Sequence, residues 1–317
     1  MSPPPQLFFG GATLGSSFAD APAVAALLAG LRSLDVTTID TAGRYGGGAS
    51  ERLLGEAGAA SKGFHLNTKI LLADPANPGC SLSREGISKS IATSLERLGV
   101  EQVDLLYCHA PDPSTPLVET ARAFDELFRQ GRFKQWGVSN FTPSQLRDLL
   151  AVCKDEGFEP PKAYQAQYNA ICRGIEADLI PLLRAHGMTL QAYSPLAGSF
   201  LTGKLTSPAS GPDHLKDSRL APGNPMGAHV RRLYDHERMH AAVGKLGAAA
   251  AERGISLPEA SLRRLVWHSA LGEGDAVILG ASRVAQVQQN VEGVRRGPLP
   301  EEVVRVFEEV RGDVERG

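Results

Sequence analysis

Eight short apolar runs succeed one another along the chain, and each is followed by a segment with helical spacing of apolar residues. The runs are Leu7–Phe9, Val36–Ile39, Phe64–Lys69, Val103–His109, Phe133–Ser139, Ala163–Gln167, Thr189–Tyr193 and Ala276–Leu279. Between them, Ala23–Leu34 shows the pattern well, with Val24, Leu27, Leu28, Leu31 and Leu34 on one face. Further helices are expected over Ser50–Ala60, Ser83–Leu98, Val118–Arg129, from Thr142-Pro143 onward, and over Glu176–His186, His236–Arg253, Ser256–His268, Val284–Val294 and Glu301–Val310. Strict alternation without hairpin signals requires parallel strands joined by crossover helices. Eight such units within 317 residues fit one closed (β/α)8 barrel over 1–317, an α/β fold of TIM-barrel class, better than an open doubly wound sheet. The G-x-G-x-x-G fingerprint of the open fold is missing, and Gly46-Gly47-Gly48 does not match it. Two stretches read as loops: Asp74–Cys80, and a long Gly/Pro-rich segment from Leu196 to about Gly227 after the seventh strand. Extra helices close the C-terminus.

In this class of barrel, chemistry gathers at the C-terminal ends of the strands. The residues that end the runs therefore belong on one rim: Asp40, Lys69, His109, Ser139-Asn140, Gln167, Tyr193 and Gly280. Any one of them alone is explained as a turn former or helix cap. An acid, a lysine and a histidine ending three successive strands are harder to explain that way. Just beyond Asp40 the loop Thr41–Gly48 carries Arg44 and Tyr45, and Ser50-Glu51 before Leu53-Leu54 reads as a helix N-terminus.

Tyrosine has a reference pKa of about 10, and a neighbouring ammonium favours its ionised form. Lys69 can supply that ammonium, Asp40 can hold it, and His109 can orient a substrate oxygen. Such a set suits protonation of a carbonyl oxygen that is gaining negative charge. A metal is not called for, since His65, His109 and His186 lack ligand spacing or a nearby carboxylate partner in sequence.

Reduction of a carbonyl also needs a hydride, which no side chain supplies. The second half of the chain looks built for a cofactor. Ser139, Asn140 and Gln167 suit a carboxamide, and Tyr193 suits stacking on a flat ring, with a packed core aromatic as the alternative. Ser194–Gly198 and Thr202-Gly203-Lys204 offer small residues and a cation to a pyrophosphate. Gly280-Ala281-Ser282-Arg283 opens a helix where a phosphate could dock, although Ser282 alone reads as an N-cap.

Composition narrows the partners. A net charge of −2 gives no electrostatic case for nucleic acid or an anionic membrane. The four cysteines, Cys80, Cys108, Cys153 and Cys172, are scattered and read as reduced thiols of a cytoplasmic protein. The N-terminal prolines read as a loose tail, and Leu7–Phe9 is too short for a signal peptide or membrane span.

The motifs together resemble the aldo-keto reductases over nearly the whole chain. They are Asp40-Thr41-Ala42 with Tyr45, Gly48, Ser50-Glu51 and Leu54-Gly55; Thr68-Lys69; the His109 strand; Gly137–Phe141; Tyr193–Leu196; and Ile278-Leu279-Gly280 through Asn290. The resemblance implies a catalytic tetrad of Asp40, Tyr45, Lys69 and His109, with Tyr45 as general acid and NADPH as hydride donor. It implies cofactor contacts from Gly11, Ser139, Asn140, Gln167, Tyr193, Ser194, Leu196, Gly198, Leu201, Lys204, Gly280, Ser282, Arg283, Gln286, Gln289 and Asn290. Within the family, His109–Asp112, Gln167–Ala170 and Leu201–Lys204 look most like the aflatoxin-aldehyde reductase branch. That branch includes dimers and reduces dialdehydes and semialdehydes, so a homodimer and a small carbonyl substrate are implied. Arg44, Arg173, Arg219 and Met226 are pocket candidates, with simple surface exposure as the alternative for the arginines. Two other classes compete: a non-catalytic binding barrel, and a Schiff-base lyase acting through Lys69.

Overall fold

Leu7, Phe8 and Phe9 of the first strand pair in parallel register with Val277, Ile278 and Leu279 of the last, and this pairing closes the sheet. The computed structural model describes residues 3–70, 81–206, 215, 220–221 and 223–315. Eight parallel strands follow one another around the barrel in chain order. They are β1 (Gln6–Gly10), β2 (Thr38–Asp40), β3 (His65–Lys69), β4 (Val103–Cys108), β5 (Phe133–Ser139), β6 (Ala163–Gln167), β7 (Thr189–Tyr193) and β8 (Ala276–Leu279). The helices between and after them are α1 (Ala21–Ser33), α2 (Ala49–Glu56), α3 (Arg84–Leu98), α4 (Leu117–Arg129), α5 (Pro143–Glu156), α6 (Leu179–Ala185), α7 (Pro225–Tyr234), α8 (Glu237–Ala251), α9 (Leu257–Trp267), α10 (Val284–Arg295) and α11 (Glu301–Glu315).

Alternation along each strand sorts the side chains into two layers. Phe9, Leu106, Cys108, Val138, Leu190 and Leu279 join the large apolar core that the helices cover. Their neighbours Phe8, Leu105, Tyr107, Ala163 and Ile278 form two small clusters apart from it, inside the barrel. Asn67, Lys69 and Gln165 are buried on that inner side, close to the rim. A further apolar cluster around Phe200, Leu246 and Phe307 seats α8 and α11.

Local chemistry sets several helix starts. Asp20 caps α1 and Ser83 caps α3 through their side chains, and Thr142 with Gln145 forms a full capping box on α5. Other expectations shift. The helix expected from Ser50 starts at Ala49 after a left-handed Gly48 and stops at Glu56. Ser50 does not cap it, because its hydroxyl lies 2.7 Å from Thr41 Oγ1 and donates to the Gly11 carbonyl at 2.9 Å. The helix expected over Glu176–His186 is split into a 3₁₀ turn at Gly174–Glu176 and the shorter α6. Pro181 lies in the first turn of α6, where a missing N–H is tolerated, and it cannot stand deeper in a helix. The long irregular stretch ends early, at α7, and contains 3₁₀ structure at Ala197–Thr202.

Pro3 and Pro4 are exposed, but Pro5 is buried, so the tail is free for less of its length than expected. Cys108, Cys153 and Cys172 are free thiols. The Asp74–Cys80 loop lies outside the described residues. Among the described residues, no helix is long and apolar enough to cross a membrane.

Candidate active site

Asp40, Lys69, Ser139, Gln167 and Tyr193 are each the last residue of their strand, and His109 and Gly280 follow theirs by one. Closure of the barrel puts them on a single rim. Asp40 and Lys69 are almost completely buried, 2% and 1% exposed, and pair directly. Lys69 Nζ donates to Asp40 Oδ2 at 2.5 Å and to the Thr41 carbonyl at 2.7 Å. Burial alone would drive the lysine towards its neutral amine. Asp40, with Tyr45 beside it, outweighs burial and raises the Lys69 pKa, so the group is an ammonium.

That ammonium lies 5.0 Å from the centre of the Tyr45 ring. The His109 ring meets Tyr45 edge-on, with centroids 6.0 Å apart at 83°. Burial, then the Lys69 and Arg44 charges, push the His109 pKa down to about 3. The imidazole is therefore neutral across the physiological range. Its Nδ1 is buried and has no hydrogen-bond partner among the described residues. An orphaned polar atom at this position is consistent with a site that is completed by a ligand.

The Asn140 Nδ2 donates to the His109 carbonyl at 2.9 Å and to Ser139 Oγ at 3.0 Å. Tyr193 O–H donates to Asn140 Oδ1 at 2.9 Å, which fixes the Tyr193 ring. Asn140, Ser194, Ala197 and Ser199 all adopt left-handed backbone, four of the five such non-glycine residues among those described. Strain of this kind costs on the order of 1–3 kcal/mol per residue and gathers where backbone is shaped for a ligand. The Leu196 carbonyl takes part in these turns, accepting from both the Ser199 and the Leu201 N–H.

Several expected contacts have other structural duties. Gln167 Nε2 donates to the Tyr234 hydroxyl of α7, and Tyr234 stacks on Phe200 at 5.5 Å and 23°. Gln165, two residues earlier on the same face of β6, is the glutamine that reaches the Lys69–Asp40 pair, donating to Asp40 Oδ1 at 2.8 Å. Sequence reasoning missed it; the period of two along β6 that places Gln167 inward places Gln165 inward as well. Leu201 is wholly buried and packs in the cluster around Phe200. Gly198 is where α7 approaches, since a Cβ there would lie 2.5 Å from Val230. Gly11 is buried under Ser50, its carbonyl accepting the hydroxyl.

Beyond β8, Gly280 faces open space, with nothing within 4 Å of a Cβ built there. The N-cap of α10 is Arg283, not Ser282. Gln286 Oε1 instead accepts from both the N–H and the hydroxyl of Ser282, at 2.9 and 3.0 Å, and holds the loop. Arg283 and Gln289 are exposed, Asn290 is half-buried, and Lys204 is exposed on the adjoining segment.

Of the pocket candidates, Arg44 is exposed, and its charge is felt at His109. Arg173 is not on the surface, contrary to the exposed alternative read from the sequence. Only 9% exposed, it is bonded to Glu176 and to both oxygens of Glu308, so its charge is used to fix α11. Arg219 lies outside the described residues, and Met226 lies in α7 with its side chain outside them. No cluster of metal-ligating side chains occurs among the described residues.

Comparison with known proteins bears directly on this arrangement. Residues 6–311 match the model of the aldo/keto reductase family. The chain is 35% identical to an aldo-keto reductase of Pseudocercospora fijiensis, covering 86% of this chain and 91% of that protein. It is 38% identical to the human aflatoxin B1 aldehyde reductase member 2, over 91% of this chain and 81% of the relative. The human aldo-keto reductase family 7 member A3 is 37% identical over 91% of this chain and 88% of its own length.

Proposed function

Because the chain belongs to the aldo/keto reductase family, we propose that it is an NADPH-dependent carbonyl reductase in which Tyr45 is the general acid. Carbonyl reduction as the reaction class follows from the family. The observation that carries the proposal is the buried Lys69–Asp40 pair beneath Tyr45, with a neutral His109 at the edge of the same ring.

Each residue has a task in this reading. Tyr45 gives its hydroxyl proton to the carbonyl oxygen as charge develops there. The phenolate left behind faces the Lys69 ammonium, and in a water-poor site that attraction is far stronger than in solution. Asp40 holds the ammonium, and Gln165 holds the other oxygen of Asp40. Neutral His109 offers the substrate oxygen an N–H without adding a competing positive charge.

A reduced nicotinamide supplies the hydride when bound. The residues present fit such a group: Ser139, Asn140 and Gln167 for the carboxamide, and Tyr193 with its ring fixed by Asn140. The left-handed turns of Ser194–Leu201 suit the pyrophosphate, and the open ground at Gly280 with the exposed Arg283 suits a phosphate beyond it.

The Schiff-base alternative needs a neutral lysine amine. Lys69, paired at 2.5 Å with its pKa raised, is in the wrong protonation state.

The test is Tyr45→Phe, which keeps the ring and removes the proton. With 4-nitrobenzaldehyde as probe, kcat should fall by about 10²–10⁴, the usual worth of general acid catalysis, with NADPH Kd unchanged. Lys69→Met should match that loss, and the double variant should be far from additive, because the two act as one unit. Near-wild-type turnover by Tyr45→Phe removes Tyr45 from the mechanism.

A further inference from the structure

Tyr45 sits on a stretch of backbone that is costly to order. Gly46, Gly47 and Gly48 follow it at φ of 59°, 61° and 90°. Glycine loses more conformational freedom on folding than any other residue, so three in a row weaken a loop that has to hold a reacting group still.

One side chain from outside the loop touches both of its ends. Arg97, in the last turn of α3, donates from Nη1 to the Gly43 carbonyl at 3.3 Å, where the loop begins. Its guanidinium also lies flat against Gly48, where the loop ends. A Cβ on Gly48 would stand 2.4 Å from Arg97 Cζ and Nη1, so only glycine admits this contact. The same Nη1 reaches Glu51 Oε2 at 3.2 Å.

Glu51 is 0% exposed, and its other oxygen accepts from Thr68 Oγ1 at 2.6 Å. Thr68 is the residue before Lys69. A buried carboxylate is expensive unless it is paired and fully hydrogen-bonded, and Arg97 with Thr68 does both. The helices beneath are in close register as well: a Cβ on Gly55 of α2 would lie 2.2 Å from the Arg97 carbonyl. The chain of contacts runs from the α3 terminus through Glu51 to the strand that carries the ammonium, and over the top to both ends of the Tyr45 loop.

We infer that Arg97 is a positioning residue for the proton donor, holding the Gly43–Gly48 loop over Lys69 through Glu51 and the loop backbone. The inference rests on Tyr45 being the acid. One guanidinium nitrogen meets the carbonyl and the carboxylate while the plane of the group covers Gly48, and a lysine in its place has no plane to lay against the glycine. Misplacing a reacting group by about 1 Å costs on the order of 10²-fold in rate.

The experiment compares R97K and the E51Q/R97M pair with wild type and Y45F, by NADPH oxidation with 4-nitrobenzaldehyde, NADPH Kd by fluorescence quenching, and thermal melts. E51Q/R97M removes both charges together, so no unpaired carboxylate is left inside. R97K keeps Glu51 paired and decides the matter should the double variant not fold. The expected result is a drop in kcat of about 10- to 100-fold in E51Q/R97M, a smaller drop in R97K, and NADPH Kd unchanged within about twofold in both. A wholly structural arginine would move the melting temperature and leave kcat alone. Wild-type kcat in folded variants, or a Kd that worsens in step with kcat, overturns the inference. If Y45F is impaired and the Arg97 variants are not, only this inference falls; if Y45F itself is active, the reading of the site falls first.

Discussion

Arg283 has no acidic neighbour from Gly280 to Asn290 and stands exposed at the start of α10, where its carbonyl accepts from the Gln286 N–H and its guanidinium is bonded to no other described residue. A guanidinium there suits the 2′-phosphate that distinguishes NADPH from NADH, through the forked geometry that phosphate accepts. A hydrogen bond to a charged group contributes about 1.5–3 kcal/mol, or roughly 10- to 150-fold in affinity. Arg283→Ala should therefore weaken NADPH by that factor and leave NADH nearly unchanged, measured as Kd for both cofactors in both proteins. Equal weakening of the two would make Arg283 structural and would move the phosphate site elsewhere. Ser282 is held by Gln286 rather than serving as the helix cap, which leaves its hydroxyl oxygen as an acceptor on a fixed loop.

At the scale of elements, α11 is held to the barrel by charge as well as by Val303, Phe307 and Val310 in its apolar face. Arg173 Nη1 reaches both oxygens of Glu308 at 2.9 Å, Arg264 Nη2 reaches the same carboxylate at 2.5 Å, and Arg311 reaches Glu176 at 2.9 Å. Tyr168 donates to Glu176 at 2.5 Å, tying the network to the segment just past β6. Burial would raise the pKa of Glu176 and Glu308, but the Arg173 bonds outweigh it and hold both below the usual carboxylate range. Removing one partner of a buried pair costs about 3–5 kcal/mol. Glu308 is half-exposed, so Arg173→Met should cost less, about 2–3 kcal/mol by urea unfolding, once solvent screening is allowed for. Amide exchange should speed up in α11 before it does in β4 or β5. An unchanged midpoint would show that the apolar face of α11 suffices without the ion network.

For the whole molecule, stability should have a plateau in pH with a loss on each side. His109 is half-buried with its Nδ1 out of solvent, and its pKa is lowered to about 3, so below the unfolded value near 6.5 the unfolded chain binds a proton that the folded one refuses. Stability therefore falls as pH drops from about 6.5. The carboxylates Asp104, Asp125, Glu176 and Glu308 have lowered pKa values, and their contribution is full above about 4 and is lost as pH falls through the folded values. On the alkaline side, Lys69 is raised, so its contribution is full below about 10.4 and is lost as pH climbs through the folded value. Burial raises Tyr168 and Tyr193 to about 12, so they also oppose folding once the unfolded tyrosines ionise near 10. Urea midpoints should be level between about pH 6.5 and 10 and decline outside that range, with a loss on the order of 3–3.5 kcal/mol by pH 4 at the His109 limb, one pKa unit being worth about 1.4. A midpoint that rises from pH 7 to pH 5 would contradict a neutral His109.

The sequence by itself determined the barrel and the membership of its rim. Apolar runs at a period of two, separated by helical spacing, leave parallel strands and crossover helices as the arrangement that buries both, and Phe133–Ser139, Ala163–Gln167, Thr189–Tyr193 and Ala276–Leu279 are strands over the stretches read from that pattern. Asp40, Lys69 and His109 were legible because a strand end is a place on the fold before any coordinate is known. What only the tertiary structure decided is which partner each polar group has. Period and spacing carry no information on contacts across the barrel, so nothing in the chain marked Gln165 as the neighbour of Asp40, 125 positions away, or Arg173 as the anchor of α11, 135 positions away. Ser50 has the residue type of a cap, yet its hydroxyl is drawn to Thr41 and Gly11 once strand pairing sets β1 beside β2. A buried hydroxyl, amide or guanidinium takes the partner that burial leaves within reach, and that choice exists only after the strands have closed.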